Sequence, residues 1–300
     1  MRLQHIGLIG YGEVGKTFAA GLRAQVNAIS AWDLTFVAAD TGVVAAQRAH
    51  AAHCGVRACE AMAQLCAEAD LLISAVTASS TLAVARQAAA HLRPGTVFLD
   101  LNSASPATKQ QAAACVDAAG GRYVEAGVMT SVPPHGIEVP MLLGGPSAAE
   151  LAPVLTGWGM DASVVSDQLG VASAIKMCRS VMIKGLEALV IESYTTARHH
   201  GVEDQVISSL RETFPGIDWE QVGSYFFSRV VQHGQRRAEE MRESANTVRE
   251  AGFEPFMAAA IANKQQWVAD RARDGVFDRL VTKNSPWQVY ADQLIKDTNR

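Results

Sequence analysis

Lys176 is the residue with the widest chemical reach in this 300-residue chain. It lies in a stretch, 169–200, that is apolar nearly all round and free of proline, as a helix buried within a protein would be. Lys176, Ser180 and Lys184 stand four residues apart, so they share one face, with Arg179 and Glu187 close to the same stripe. An amine drawn out of water holds its proton less tightly and can act as a general acid or base. Ser180, one turn on, can link that amine to a hydroxyl, directly or through water. The plainer alternative is that Lys176 snorkels or pairs structurally, and spacing alone leaves both open.

A second constellation opens the chain. Gly10-Tyr11-Gly12-Glu13-Val14-Gly15 is a G-x-G-x-x-G run placed between an apolar stretch and a helical one. The first glycine permits a tight turn and the second lets a phosphate approach the backbone. The third lets helix and strand pack closely, and the helix start turns its N–H groups toward the anion. An acidic residue belongs about 20 positions later, and Asp33 stands there in Ala31-Trp32-Asp33. A carboxylate at that place accepts hydrogen bonds from a ribose diol and repels a 2′-phosphate. The pattern predicts a dinucleotide site that takes NAD in preference to NADP, with NADP the alternative.

Other polar residues fall where later strands end, which is where an open parallel sheet binds ligands. The strand expected at 71–76 runs out at Val76-Thr77, both expected at the cofactor. The one expected at 96–101 runs out at Asp100-Leu101-Asn102-Ser103-Ala104-Ser105-Pro106. Ser105 before Pro106 reads as a helix start. Asn102 and Ser103 have no such explanation, and could bond a carboxamide or a substrate hydroxyl. The proline-stiffened segment from Glu125 to Gly136 reads as a substrate wall, with Met129, Thr130 and Ser131 facing the ligand. Farther on, His233 and Arg237 share a helix face, as do Arg236 and Glu240, and one such face could hold an anionic substrate. Ordinary i,i+4 pairing is the plainer reading of Arg236 and Glu240, and a core histidine that of His233.

These residues need a frame. Strands are expected at 6–9, 27–32, 71–76, 96–101, 122–126 and 141–144, and helices at 14–23, 42–54, 81–91 and 106–119. That alternation implies a doubly wound parallel sheet of the Rossmann type, covered on both faces. The rhythm stops near residue 165. Helices are expected at 169–200, with Gly201 as its C-terminal cap, at 219–251 and at 255–273, and a short one before Phe214-Pro215-Gly216. The expected organisation is an α/β cofactor domain at 1–165, then an all-α domain at 166–300 for substrate and dimerisation.

Composition narrows the partners. The chain is 49% hydrophobic with a formal net charge of −4, so it can bury a core and lacks the basic excess of a polyanion binder. No nucleic-acid partner is expected, and no apolar run approaches a membrane span. The five cysteines show no C-x-x-C spacing, so neither a metal site nor a disulfide framework is suggested. The expectation is a cytoplasmic protein with reduced thiols.

Taken together, the motifs resemble the β-hydroxyacid dehydrogenase family, which includes 3-hydroxyisobutyrate dehydrogenase and 6-phosphogluconate dehydrogenase. Gly10 to Gly15 resembles that family's cofactor loop, and Asp100 to Pro106 its D-x-S-T-x-x-P strand end, with Ser103 in the threonine place. Glu125 to Ser131 resembles its D-A-P-V-S-G-G segment, with Met129 for the serine and Thr130-Ser131 for the two glycines. Gly170 to Ser180 resembles its lysine helix, with Lys176 in the catalytic lysine's place and Ser180 in that of an asparagine. The stretches 132–136 and 233–241 resemble a less characterised, 6-phosphogluconate dehydrogenase-like branch with its own helical C-terminal domain.

The resemblance implies hydride transfer between a nicotinamide and the carbinol carbon of a small hydroxy acid or related alcohol, Lys176 moving the hydroxyl proton. Asn102, Ser103 and Ser131 would orient the substrate, and a β-keto product could lose carbon dioxide. It also implies a homodimer built through the C-terminal helices. Two alternatives stay open: an imine reductase or reductive aminase on the same scaffold, and an NAD(P)-binding protein without chemistry.

Overall fold

In this computed structural model, residues 3–278, 280 and 285–298 are described. They form two compact units, Met1–Met177 and Cys178–Arg300, which part inside one long helix.

In the first unit the chain runs β1 (His5–Ile9), α1 (Glu13–Leu22), β2 (Ala28–Trp32), α2 (Thr41–His53), β3 (Arg57–Ala58), α3 (Met62–Glu68) and β4 (Leu71–Ser74). It continues through α4 (Thr81–Ala89), β5 (Val97–Asp100), α5 (Pro106–Ala118), β6 (Arg122–Val128), α6 (Val132–His135), β7 (Met141–Gly144), α7 (Ala148–Gly157) and β8 (Ala162–Ser166). The eight strands make one sheet in the order β3-β2-β1-β4-β5-β6-β7-β8. After β1 the chain builds outward through β2 and β3, then returns to lay β4 on the other side of β1. The crevice beyond the carboxyl ends of β1 and β4 is the place where such a sheet takes a ligand.

Both faces of the sheet are covered, which is why its central strands read as unbroken apolar runs. Side chains alternate across the sheet. Leu71, Ile73, Leu99 and Val124 join one core with Phe18 and Leu22 of α1. Their neighbours Leu72, Phe98 and Tyr123 join the other, with Leu65 of α3 and Val116 of α5. Each large side chain so buried contributes about 1.5–3 kcal/mol.

One strand departs from the expected parallel pattern. β7 runs antiparallel to β6, pairing Glu125 with Gly144 and Val128 with Met141. A parallel neighbour needs a crossover, usually a full helix. Residues 129–140 hold only short helical turns around the cis Pro133–Pro134 peptide, so the chain turns straight back. α7 then supplies a crossover, and β8 lies parallel to β7.

The long helix α8 (Val171–His200) leads into the second unit, with α9 (Glu203–Thr213), α10 (Trp219–Glu250), α11 (Phe256–Arg273) and α12 (Trp287–Thr298). Gly201 closes α8 at φ +67°, with Val202 N–H returning to Ala197 O at 3.0 Å. No strand occurs among the described residues of this unit. An aromatic core of Tyr194, Trp219, Phe227, Trp287 and Tyr290 fills one part of it. The small residues Ala245, Ala258 and Ala262 bring α10 and α11 together in another, with Met241 packed beside them. α10 breaks its helical backbone at His233 (φ −134°). The next residue, Gly234, leaves no room for a side chain, because a Cβ there would stand 2.9 Å from Gln265 O.

Candidate active site

The glycine loop joins β1 to α1 as its spacing predicts. Gly10 adopts φ +96°, and a Cβ there would stand 2.5 Å from Ala75 O. Gly15 presses on Gly10 O, so a side chain there would force α1 off the strand. Gly12 instead faces open space, with nothing within 4 Å of a built Cβ. It is also the N-cap of α1 and offers no side-chain acceptor to the first turn, so those N–H groups are left for an anion. Glu13 and Val14 form that first turn. A cradle closed at Gly10 and Gly15 and open at Gly12 fits a dinucleotide pyrophosphate.

Asp33 follows β2 and is half-buried. Its Oδ2 accepts the Tyr11 N–H at 2.6 Å, and its Oδ1 accepts the Thr35 N–H at 2.8 Å and the Thr35 hydroxyl at 2.7 Å. The carboxylate is thereby fixed against the glycine loop with acceptor capacity left for a ribose hydroxyl. Tyr11 packs against Phe36, and its hydroxyl lies 3.2 Å from His50 Nδ1. Burial, with the Cys54 thiol beside it, pushes the Tyr11 phenol up to about 12, so it stays protonated.

Asn102 is buried at the end of β5. Its Oδ1 accepts the Val76 N–H at 2.7 Å and its Nδ2 donates to Ser74 Oγ at 2.9 Å. The amide thus links the ends of β4 and β5 beside the crevice. Thr77 is exposed and lies within hydrogen-bond distance of Ser79 and Ser80. Ser103 is half-buried in the next turn. Ser105 caps α5, accepting the Thr108 N–H at 3.3 Å, with Pro106 in the first turn.

Beneath this edge lies a buried polar group that motif reading does not pick out. Lys109 Nζ lies 3.0 Å from Asp100 Oδ1 and donates to Asp100 O at 2.9 Å, both residues at most 1% exposed. The same carboxylate accepts the Asn102 N–H at 2.8 Å and the Tyr123 hydroxyl at 2.5 Å. Burial, then the neighbouring Asp100, pushes the Tyr123 phenol well above its usual range. The signal in sequence is a lysine on the face of α5 that carries Ala112, Ala113 and Val116.

Lys176 is half-buried on α8 within the first unit, and its helix lies close against β6. A Cβ built on Gly127 would stand 3.0 Å from Ala172 O and 3.5 Å from Lys176 Cβ. Met129 and Ser131 are half-buried and Thr130 exposed in the turn after β6, and Ser131 is the N-cap of α6.

The remaining expected residues belong to the second unit. Ser180 is buried and accepts from Lys184 Nζ at 3.3 Å, while Lys184 pairs with Glu240 at 2.8 Å. Arg237 is buried and grips Glu187 with two nitrogens, its Nε at 2.8 Å from Oε2, and Gln265 Nε2 donates to the same oxygen at 3.1 Å. The guanidinium expected to meet an anionic substrate therefore has a protein carboxylate as its partner. Arg236 lies 3.8 Å from Glu240, the i,i+4 pair that spacing predicts. His233 is half-buried at the break in α10. Among the described residues no group of three or more His, Cys, Asp or Glu is placed to hold a metal ion, and no helix is long and apolar enough to cross a membrane.

Comparison with known proteins agrees with this geometry. Residues 5–165 match the family described as the NAD binding domain of 6-phosphogluconate dehydrogenase, and residues 197–268 match a domain of unknown function, DUF1932. A conserved hypothetical protein from Sinorhizobium meliloti 1021 is 38% identical, with a TM-score of 0.74 over 98% of this chain and 97% of that one. The 3-hydroxyisobutyrate dehydrogenase of Salmonella typhimurium shares the fold at 18% identity, with a TM-score of 0.66 over 96% of this chain and 99% of that one. Among curated relatives, 2-(hydroxymethyl)glutarate dehydrogenase of Eubacterium barkeri is 24% identical over 68% of this chain and 67% of its own length.

Proposed function

The chain belongs to the family that carries the NAD binding domain of 6-phosphogluconate dehydrogenase, and from that premise we propose an oxidoreductase of small hydroxy acids that uses NAD in preference to NADP. The observation that carries the reading is the cradle at Gly12, open to solvent and backed by Asp33 on the Tyr11 N–H.

The pyrophosphate would lie on the N–H groups of Gly12, Glu13 and Val14, and the ribose diol on Asp33. Among the residues just after β2, Leu34, Thr35 and Phe36 bring no cation for a 2′-phosphate, which supports NAD. Asn102 would hold the Val76 N–H in place at the crevice wall. Bound there, the nicotinamide supplies hydride acceptance or donation. Lys176 takes the hydroxyl proton on Nζ as the carbinol C–O becomes a carbonyl, and returns it in reduction. The amine must be neutral to accept that proton and charged to return it. Ser103 and Ser131 would orient the substrate. Support for a hydroxy acid comes from the names of two relatives, which act on 3-hydroxyisobutyrate and 2-(hydroxymethyl)glutarate. A homodimer accompanies this reading, because Met182 and Leu189 on α8 are 67% and 55% exposed and a second copy would cover them.

The test is separate titration of NADH and NADPH against the wild-type protein and Asp33→Ala. Tight NADH binding that weakens about tenfold in the variant is expected, equivalent to about 1.4 kcal/mol. Preference for NADPH would overturn the cofactor assignment. Turnover of 3-hydroxyisobutyrate or 2-(hydroxymethyl)glutarate that survives Lys176→Ala would overturn the role of the lysine.

A further inference from the structure

β6 carries a carboxylate for which the reaction outlined above has no use. Glu125 is fully buried in the middle of the sheet. Its Oε1 accepts the backbone N–H of Gly170 at 2.8 Å and of Ala172 at 3.0 Å, and its Oε2 accepts the Ser173 hydroxyl at 2.8 Å. These donors are the opening turn of α8. An uncompensated carboxylate in a protein interior is strongly unfavourable, and here the compensation comes from orphan N–H groups at the positive end of a 30-residue helix.

The surroundings are shaped for this contact. Gly144 is the register partner of Glu125 on β7, and a Cβ there would stand 2.5 Å from Glu125 Oε1. Two residues along β6, and so on the same face, Gly127 lets the α8 backbone come within contact distance. β6 therefore holds α8 at two points. One is a charged clasp on its first turn, and the other is a bare backbone under Ala172 and Lys176.

We propose that Glu125 is the positioning residue for Lys176, fixing the height and rotation of the start of α8 and adding a buried negative charge that favours the ammonium form. Glu125 touches no reacting atom in this scheme. The inference rests on Lys176 as the acid–base residue, and its principal test, direct titration of the Lys176 amine, does not require a known substrate.

Glu125→Gln is the probing change, because it keeps a carbonyl oxygen for the Gly170 and Ala172 N–H groups and removes only the charge. The Lys176 amine is titrated directly in the whole protein, by trace acetylation with acetic anhydride across pH and mass spectrometry of the peptide. Exposed Lys296 serves as the internal reference. In Glu125→Gln the Lys176 midpoint is expected to fall by about half a pH unit or more, because a buried negative charge on the strand that α8 packs against is removed. The Lys296 midpoint and NADH affinity stay unchanged. An unmoved Lys176 midpoint overturns the proposal, since looser helix packing alone would not fix the amine's titration.

Should the Gln variant not fold, Ser173→Ala removes one donor and keeps the charge. With whichever of the two probe acids turns over, kcat is expected to fall severalfold at constant cofactor KM, and an unchanged kcat overturns the proposal. Turnover retained by Lys176→Ala would instead sink the acid–base reading, and the labelling midpoint would still judge Glu125.

Discussion

The Asn102 side-chain carbonyl accepts the Val76 N–H at 2.7 Å, so one amide closes the end of β5 onto the end of β4. Its Nδ2 reaches Ser74, and its own N–H rests on Asp100. The last backbone bond between the two strand ends runs from Leu101 N–H to Ser74 O at 3.0 Å, and beyond it the Asn102 side chain holds the crevice wall. Asn102→Leu fills the space and leaves the Val76 N–H without its acceptor. NADH affinity, followed by fluorescence titration, is expected to weaken about tenfold, the order of one lost buried hydrogen bond. Affinity within twofold of wild type would mean that the loop holds its shape without the amide.

Lys109 and Asp100 form an ion pair with almost no solvent contact. Removing one partner leaves a buried charge behind, which costs about 3–5 kcal/mol. Lys109→Met and Asp100→Asn each strand the other partner's charge, so both are expected to lower the urea midpoint sharply. A much smaller loss in Asp100→Asn, which keeps an acceptor for Tyr123, would show that hydrogen bonding rather than charge holds this group together.

Sequence made the sheet legible where its signal is local. The apolar runs of β1 and β4, the turn glycine Gly10 and the cap at Ser105 each obey a short-range rule, and the structure has them in place. The short edge strand β3 and helices α3 and α7 carry no comparable signal. β3 has only two residues, and α7 contains Pro153. β8 is an edge strand with its middle exposed, so it lacks an apolar run. The direction of β7 depends on what the chain does between 129 and 140, which strand periodicity cannot report. The same limit applies to side chains. Spacing places Arg237 and Glu187 on helix faces, but their pairing joins residues 50 positions apart. In the sequence Glu125 opens the segment read as a substrate wall, and nothing there points to a role in holding a helix. Its partner, the start of α8, emerges only once β6 and that helix are packed together.

The Arg237–Glu187 pair makes a prediction for the helical unit. Glu187 is 1% exposed and also accepts from Gln265, so it depends on Arg237 for charge compensation. Arg237→Met is expected to destabilise by about 3–5 kcal/mol, and Glu187→Met in the same chain to recover much of that loss. A double-mutant cycle read by urea unfolding measures the coupling. Additive losses would mean that the two side chains matter through packing alone.

The first strand gives a pH dependence. His5 Nε2 lies 2.8 Å from Ser30 Oγ, and its Nδ1 lies 3.8 Å from Glu68. Burial holds its pKa below the ordinary 6.5; Glu68 and Asp70 pull it up, and Arg57 and Arg93 push it down. Because the folded value is the lower one, the unfolded chain binds the proton more readily. The stabilisation is full above 6.5 and is lost as pH falls through the folded value. Wild-type stability should therefore drop between pH values on either side of that range by more than does His5→Gln, which keeps a polar group for Ser30 and cannot titrate. The measurement is the urea midpoint of both proteins at each pH. Parallel curves would place the acid sensitivity elsewhere, with the carboxylate of Asp70 as the next group to examine. Burial raises the pKa of Asp70, but the N–H groups of Gln4 and His5 and the Arg93 guanidinium outweigh that and leave it low. Its contribution would be lost only at a more acidic pH, below the ordinary carboxylate range, so the two groups can be told apart by where the stability curve bends.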